Sequence, residues 1–127
     1  MKSFPCPCCG FVVFSGPPGT EEMCPICGWQ DDLSQLRFPG EGGGANQPSL
    51  VEAQKNFARL GASTETLVTK VRAPSPLEQK DPTWRPILPS DFDVTVDGAQ
   101  AIPSYPSDRT QLYYWKDIYW LNRLRRR

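Results

Sequence analysis

Apolar positions come in short bursts along this chain, and one burst has a clear helical period. Leu50, Ala53, Phe57 and Leu60 fall near a spacing of about 3.6 residues. Ser49, with Glu52 three places on, has the form of a capping box, and Gly61 stands where a left-handed closing residue belongs. This predicts a helix over 50–60 that lays one apolar stripe on a core. Before it, Phe11-Val12-Val13-Phe14 is a run of strand length. The turn-forming Ser15-Gly16-Pro17-Pro18-Gly19 and a return from Thr20 to Met23 follow. Run, turn and return predict a β-hairpin over 11–23.

Beyond the helix the pattern loosens. A second short helix is expected from Ser63, presenting Leu67, Val68 and Val71 until Pro74 stops it. Ser75-Pro76-Leu77-Glu78 repeats the capping grammar with proline at the first helical position, which predicts another turn or two. Residues 74–106 hold seven of the fourteen prolines, so this stretch is expected to be an extended arm anchored by Trp84, Ile87 and Leu88. Phe92-Asp93-Val94-Thr95-Val96 alternates and precedes Asp97-Gly98, predicting an edge strand or small hairpin within the arm.

The last segment, 107–127, is aromatic and basic together. Asp108 is expected to cap a helix holding Leu112, Tyr113, Tyr114, Trp115, Ile118, Tyr119, Trp120, Leu121 and Leu124. Arg123, Arg125, Arg126 and Arg127 end it, favourably placed against the helix dipole. Its apolar residues cover more than one face. Either both faces are buried within this chain, or one meets another protein.

Chemistry concentrates near the start. Cys6-Pro7-Cys8-Cys9-Gly10 and Cys24-Pro25-Ile26-Cys27-Gly28 both read Cys-Pro-x-Cys-Gly. Proline fixes φ after the first thiolate, and glycine permits the tight turn behind the second. Two such knuckles supply four soft sulfur ligands, suited to a tetrahedral ion at about 2.3 Å. Cys6, Cys9, Cys24 and Cys27 are the expected ligands of one structural zinc, with rubredoxin-like iron as the chemical alternative. Pairing Cys8 with Cys6 or Cys9 would break the symmetry of the knuckles, so Cys8 is expected to be a free, half-buried apolar residue. A nucleophilic or redox role for it is weakened by the absence of histidine. The odd count of five cysteines and their metal-site spacing also disfavour a disulfide framework.

Composition narrows the rest. A chain of 127 residues makes one domain with an appended arm, and a metal would offset its modest core. Lys plus Arg equals Asp plus Glu at 14 each, so no global field draws it to nucleic acid or membrane. No apolar run approaches the ~20 residues of a membrane span, and the opening Met1-Lys2-Ser3-Phe4-Pro5-Cys6 is no signal peptide. Reduced thiols and a metal site point to the cytoplasm. Trp29 is expected to pack over the metal site, and Asp31 and Asp32 to form a solvated turn or cap for Leu33 to Leu36. Four glycines among the eleven residues 38–48 make a loop, but no Gly-Lys-Ser/Thr follows to hold a phosphate.

The expected architecture is a small α+β fold, with a zinc-ribbon or rubredoxin-like hairpin carrying both knuckles and packed by short helices. It divides into a zinc-ribbon-like unit with its helix over 1–73, the arm over 74–106, and the final helix over 107–127 packing on the same unit. With the knuckles, Trp29-Gln30-Asp31-Asp32, Gly43-Gly44-Ala45-Asn46, Ser49-Leu50 and the Ala53, Asn56, Phe57 set, the chain resembles the bacterial cysteine-rich CPCC family over about residues 5–75. Gln30 stands where glutamate is commoner there, and Gly28 where an aromatic is. The resemblance implies a zinc-ribbon-like protein. It also suggests an immunity role, because similar small proteins accompany polymorphic toxins of bacterial secretion systems.

Two function classes compete. The first is an immunity or adaptor protein that binds another protein, a cognate toxin, through Trp115, Tyr119, Trp120, Arg123, Arg125 and Arg126. The second is a nucleic-acid-binding zinc ribbon using Lys55, Arg59, Lys70, Arg72 or the terminal arginines. It is the weaker because basic residues are scattered, and nucleic acid is not the expected partner. An enzyme ranks third, since an ion closed by four thiolates has no position for substrate.

Overall fold

The computed structural model describes residues 3–92 and 105–125, the last three through their backbone alone. Strand β1, Phe4–Pro5, pairs antiparallel with β2, Val12–Phe14, setting Phe4 opposite Phe14 and Pro5 opposite Val12. The first knuckle is therefore the loop of its own hairpin, closed by Cys6 N to Phe11 O at 2.9 Å and Gly10 N to Cys6 O at 2.7 Å. This corrects the expected pairing of Phe11–Phe14 with Thr20–Met23. A knuckle reverses the chain within a few residues, so the segments flanking it meet at the least loop-closure cost. Thr20–Met23 does the same across the second knuckle, where Met23 bridges Gln30 and Asp31 N donates to Glu22 O at 2.8 Å.

Helix α1, Leu33–Arg37, starts at Asp32, whose carboxylate accepts from Gln35 N at 3.1 Å. Helix α2, Leu50–Leu60, has the anticipated ends. Glu52 N donates to Ser49 Oγ at 3.1 Å, Glu52 Oε1 accepts from Ser49 N at 3.5 Å, and Gly61 closes it at φ 78°. Leu50 and Ala53 are fully buried, and Phe57 packs at the rim of the core.

The helix expected from Ser63 is a single 3-10 turn, Glu65–Leu67. Ser63 N is already committed to Cys27 O at 2.6 Å, and Thr64, Thr66, Val68, Thr69 and Val71 are β-branched poor helix formers. Ser75–Glu78 is likewise only a turn, with Glu78 N on Ser75 O at 3.0 Å and Glu78 paired to Arg72 at 2.7 Å.

The described part of the expected arm, residues 74–92, runs through extended and turn segments that dock on the first hairpin. Lys80 bridges Phe11, Val12 N reaches Gln79 O at 2.9 Å, and Asp81 N reaches Gly10 O at 2.8 Å. The arm thus runs along the edge of β2 away from β1. Trp84 and Ile87 are partly buried, while Leu88 stays half exposed at 52%. The strand expected over 92–96 falls almost wholly outside the described residues.

The single C-terminal helix is also corrected. Asp108 caps only a 3-10 turn, Arg109–Leu112, and the chain then runs through extended and turn residues to α3, Trp120–Arg125. Leu112, Tyr113, Tyr114 and Trp115 are consecutive, so in one helix they would circle the axis and expose half their surface. Breaking the helix buries all four. They share one core with the thiols, Val13, Phe14, Ile26, Trp29, Leu36 and Leu50. Among the described residues no helix is long and apolar enough to cross a membrane.

Candidate metal centre

The Sγ atoms of Cys6, Cys9, Cys24 and Cys27 all lie within 4.8 Å of one another, and all four residues are fully buried. Cys6 and Cys27 sulfurs are 3.6 Å apart, Cys9 and Cys24 3.7 Å. A tetrahedron with metal–sulfur bonds of about 2.3 Å has edges of about 3.8 Å, so the set fits a four-thiolate ion. It does not fit a disulfide, whose sulfurs lie about 2.05 Å apart, and all five cysteines are free thiols.

Local backbone geometry builds this convergence. Gly10 and Gly28 close their knuckles at φ 84° and 86°, the left-handed region that favours glycine. In the second knuckle, Ile26 N and Cys27 N point at Cys24 Sγ at 3.4 and 3.5 Å, and Trp29 N points at Cys27 Sγ at 3.4 Å. Such amides stabilise thiolate. Burial pushes the thiols of Cys6 and Cys27 well up, whereas hydrogen bonds from Cys27, Cys6 and Cys9 hold Cys24 far down. Four crowded sulfurs therefore share their protons, and a cation at their centre is what lets all of them ionise. Cys8 is 1% exposed, more buried than expected, and burial raises its thiol too.

Several neighbours were legible and others were not. Trp29 is completely buried in the core with the thiols, its indole N–H without an acceptor among the described residues. Asp32 is the expected cap and also accepts from Ala45 N at 2.9 Å. Asp31 is not solvated. At 3% exposure it holds Gly19 N, Thr20 N and Thr20 Oγ1 at 2.7–2.8 Å, fixing the turn between the knuckles. Asn46 stood out in the sequence only through the family resemblance, without a structural role; its side chain takes Gln30 N and gives to Gln30 O, both at 2.8 Å, extending the second hairpin like a strand. Sequence reasoning missed Gln35, whose amide spans the glycine loop by donating to Glu41 O, Asn46 O and Pro48 O. An isolated Gln carries no period that could flag it.

The rings expected to face a partner are in the core. Trp115 is 8% exposed, with its indole N–H on Asp81 at 3.1 Å, Tyr119 is 2% exposed, and Trp120 is 8% exposed beside the Arg37 guanidinium. A small domain has too little other apolar surface to leave these three outside. Arg126 and the side chains of Arg123 and Arg125 lie outside the described residues.

A buried four-cysteine cluster on two knuckles, in a small α+β fold, makes this a metal-binding module. Residues 4–78 match the family described as cysteine-rich CPCC, and the chain belongs to it. No curated protein matches the chain.

Proposed function

We propose that this chain is a zinc-stabilised protein-binding module of the cytoplasm, an immunity protein that binds and neutralises a cognate bacterial toxin, and not an enzyme. Zinc suits the four thiolates because it is stable without redox chemistry in closed sulfur sites. There it supplies folding free energy, with no coordination position left for a substrate. The observation that supports the binding role is an open surface groove flanked by two exposed aliphatic side chains. Leu77, 92% exposed, and Ile118, 50% exposed, flank a groove of about 580 Å³ whose lining mixes Phe4, Pro5 and Val12 with Lys80, Asp81 and Lys116. Aliphatic side chains left in solvent beside a groove offer a protein partner apolar area to bury. This groove takes the place of the buried rings as the contact surface. The toxin as partner rests on the family likeness.

The test is to sequence the gene directly upstream and co-produce its product, a secreted toxin under this reading, with the chain. A complex of defined stoichiometry by light scattering, survival of toxin-producing cells, and loss of both in Leu77→Asp with Ile118→Asp are expected. Survival that persists without any complex, or a folded, zinc-loaded chain that leaves the toxin fully active, would sink the reading.

A further inference from the structure

The two knuckles are not held alike. The second carries three N–H···S contacts of its own, from Ile26, Cys27 and Trp29. Among the described residues the first knuckle has none of these, although its sulfurs are just as buried. What it has is a grip from outside. Pro7 O, between ligands Cys6 and Cys9, accepts from Gln54 Nε2 at 2.9 Å and from Trp84 Nε1 at 3.0 Å. Gln54 is locked in turn by Tyr114 Oη at 2.9 Å and by Ile87 N on its Oε1 at 2.8 Å, and Tyr114 Oη donates to Arg85 O. The Trp84 ring packs against Gly10, where a Cβ would meet it at 2.7 Å. The corresponding Pro25 O has one backbone donor, Arg72 N at 3.1 Å.

We propose that Gln54 and Trp84 are positioning residues of the metal centre, which clamp the Pro7 carbonyl and so set how firmly the first knuckle keeps its ion. The Pro7–Cys8 peptide lies within the loop that joins the two ligands, so fixing its plane fixes where Cys6 Sγ and Cys9 Sγ point. One clamp residue, Trp84, lies beyond the family-matched segment that ends at residue 78. Metal retention is thereby coupled to the docking of the arm. Opening the clamp would free the Pro7–Cys8 peptide and loosen Cys6 and Cys9, the two residues of the first knuckle that would hold the ion.

This rests on zinc filling the site, so zinc content of the wild-type chain is measured first. Absence of zinc there counts against the metal reading and is separate from the clamp. Zinc-loaded wild type, Trp84→Phe, Gln54→Met and Ser49→Ala are then mixed with excess chromogenic chelator under native conditions, and the cobalt-substituted forms are compared by sulfur-to-metal charge-transfer bands. Both clamp variants are expected to release zinc about tenfold faster, the rate equivalent of one buried hydrogen bond, with shifted cobalt bands. Ser49→Ala, whose loss is confined to the start of α2, leaves the bands unmoved. Unchanged release in both clamp variants overturns the proposal. So does equal acceleration in all three with unmoved bands, which would make the residues ordinary packing. Should Trp84→Phe not fold, Gln54→Met decides alone.

Discussion

Cys8 is as sequestered as the four cysteines around it, yet only the other four bring their sulfurs into one tetrahedral set. Its spacing offered three possible partitions of the knuckle, and symmetry with Cys24 and Cys27 picked the one the geometry also picks. Elemental analysis of purified protein should give near-unit zinc for Cys8→Ser, with far less for Cys9→Ser and Cys24→Ser. Loss of zinc in Cys8→Ser with retention in Cys9→Ser would reverse the assignment. The four-cysteine cluster was readable because metal coordination favours a fixed local spacing. The clamp on Pro7 was not, since Gln54 and Trp84 lie 47 and 77 residues away and meet it only after folding. Gly10 shows both sides of this. Its positive φ follows from the knuckle, but the need for an open face beneath Trp84 does not.

The element with a full set of local instructions formed where its residues said it would, whereas the cap alone at Ser75–Glu78 gave only a turn. Helix α2 carries its cap, its stripe and its stop within thirteen residues, 49–61, so no distant contact had to be guessed. Ser49→Ala should cost about 1 kcal/mol by urea unfolding of the zinc-loaded protein, with Ser49→Asp near neutral. The strands were different, because an apolar run does not say which neighbour it will pair with, and the knuckle chose the upstream one. The terminal segment was misread because aromatic density was taken as helix, whereas burying consecutive rings required the helix to break. Asp81 ties that segment to the arm, accepting from Thr83 N, Thr83 Oγ1, Trp115 Nε1 and Lys116 Nζ at 2.6–3.1 Å. Burial alone would raise its carboxyl, but the bonds from Thr83, Lys116 and Trp115 outweigh burial and hold it well below the usual range. A depressed folded pKa means stability that is present above the unfolded value and lost as pH falls. Asp81→Asn should therefore cost about 1–2 kcal/mol at neutral pH. The gap to wild type should hold down to about pH 5 and narrow only below about pH 4. A gap that closes already near neutral pH would mean another group is responsible.

At the scale of the whole molecule, the absence of net charge sets one expectation and the single core sets another. With 14 basic and 14 acidic residues, binding to duplex DNA or single-stranded RNA should be weak and fade by about 150 mM salt. Fluorescence anisotropy showing sub-micromolar affinity there would promote a nucleic-acid role. The core makes the stronger demand. Thiols, α2, the arm and the terminal aromatics are not separate layers but one cluster, with each segment fastened to a knuckle or its flank. Ser63 N holds Cys27 O, Arg72 N holds Pro25 O, Asp81 N holds Gly10 O, and Trp84 holds Pro7 O. Removing the ion leaves four crowded, fully buried sulfurs that must take up protons or separate, and separation pulls on all of these fastenings at once. A chelator strong enough to strip zinc should therefore abolish the near-ultraviolet dichroism of the buried tryptophans and tyrosines. Protease sites in the arm and in 105–121 should open together with those near the knuckles. Part of the far-ultraviolet helical signal should persist, because α2 carries its own caps. If the stripped chain keeps its aromatic signal and loses only protection around 6–28, the metal organises two hairpins and nothing more, and the rest of the core stands without it.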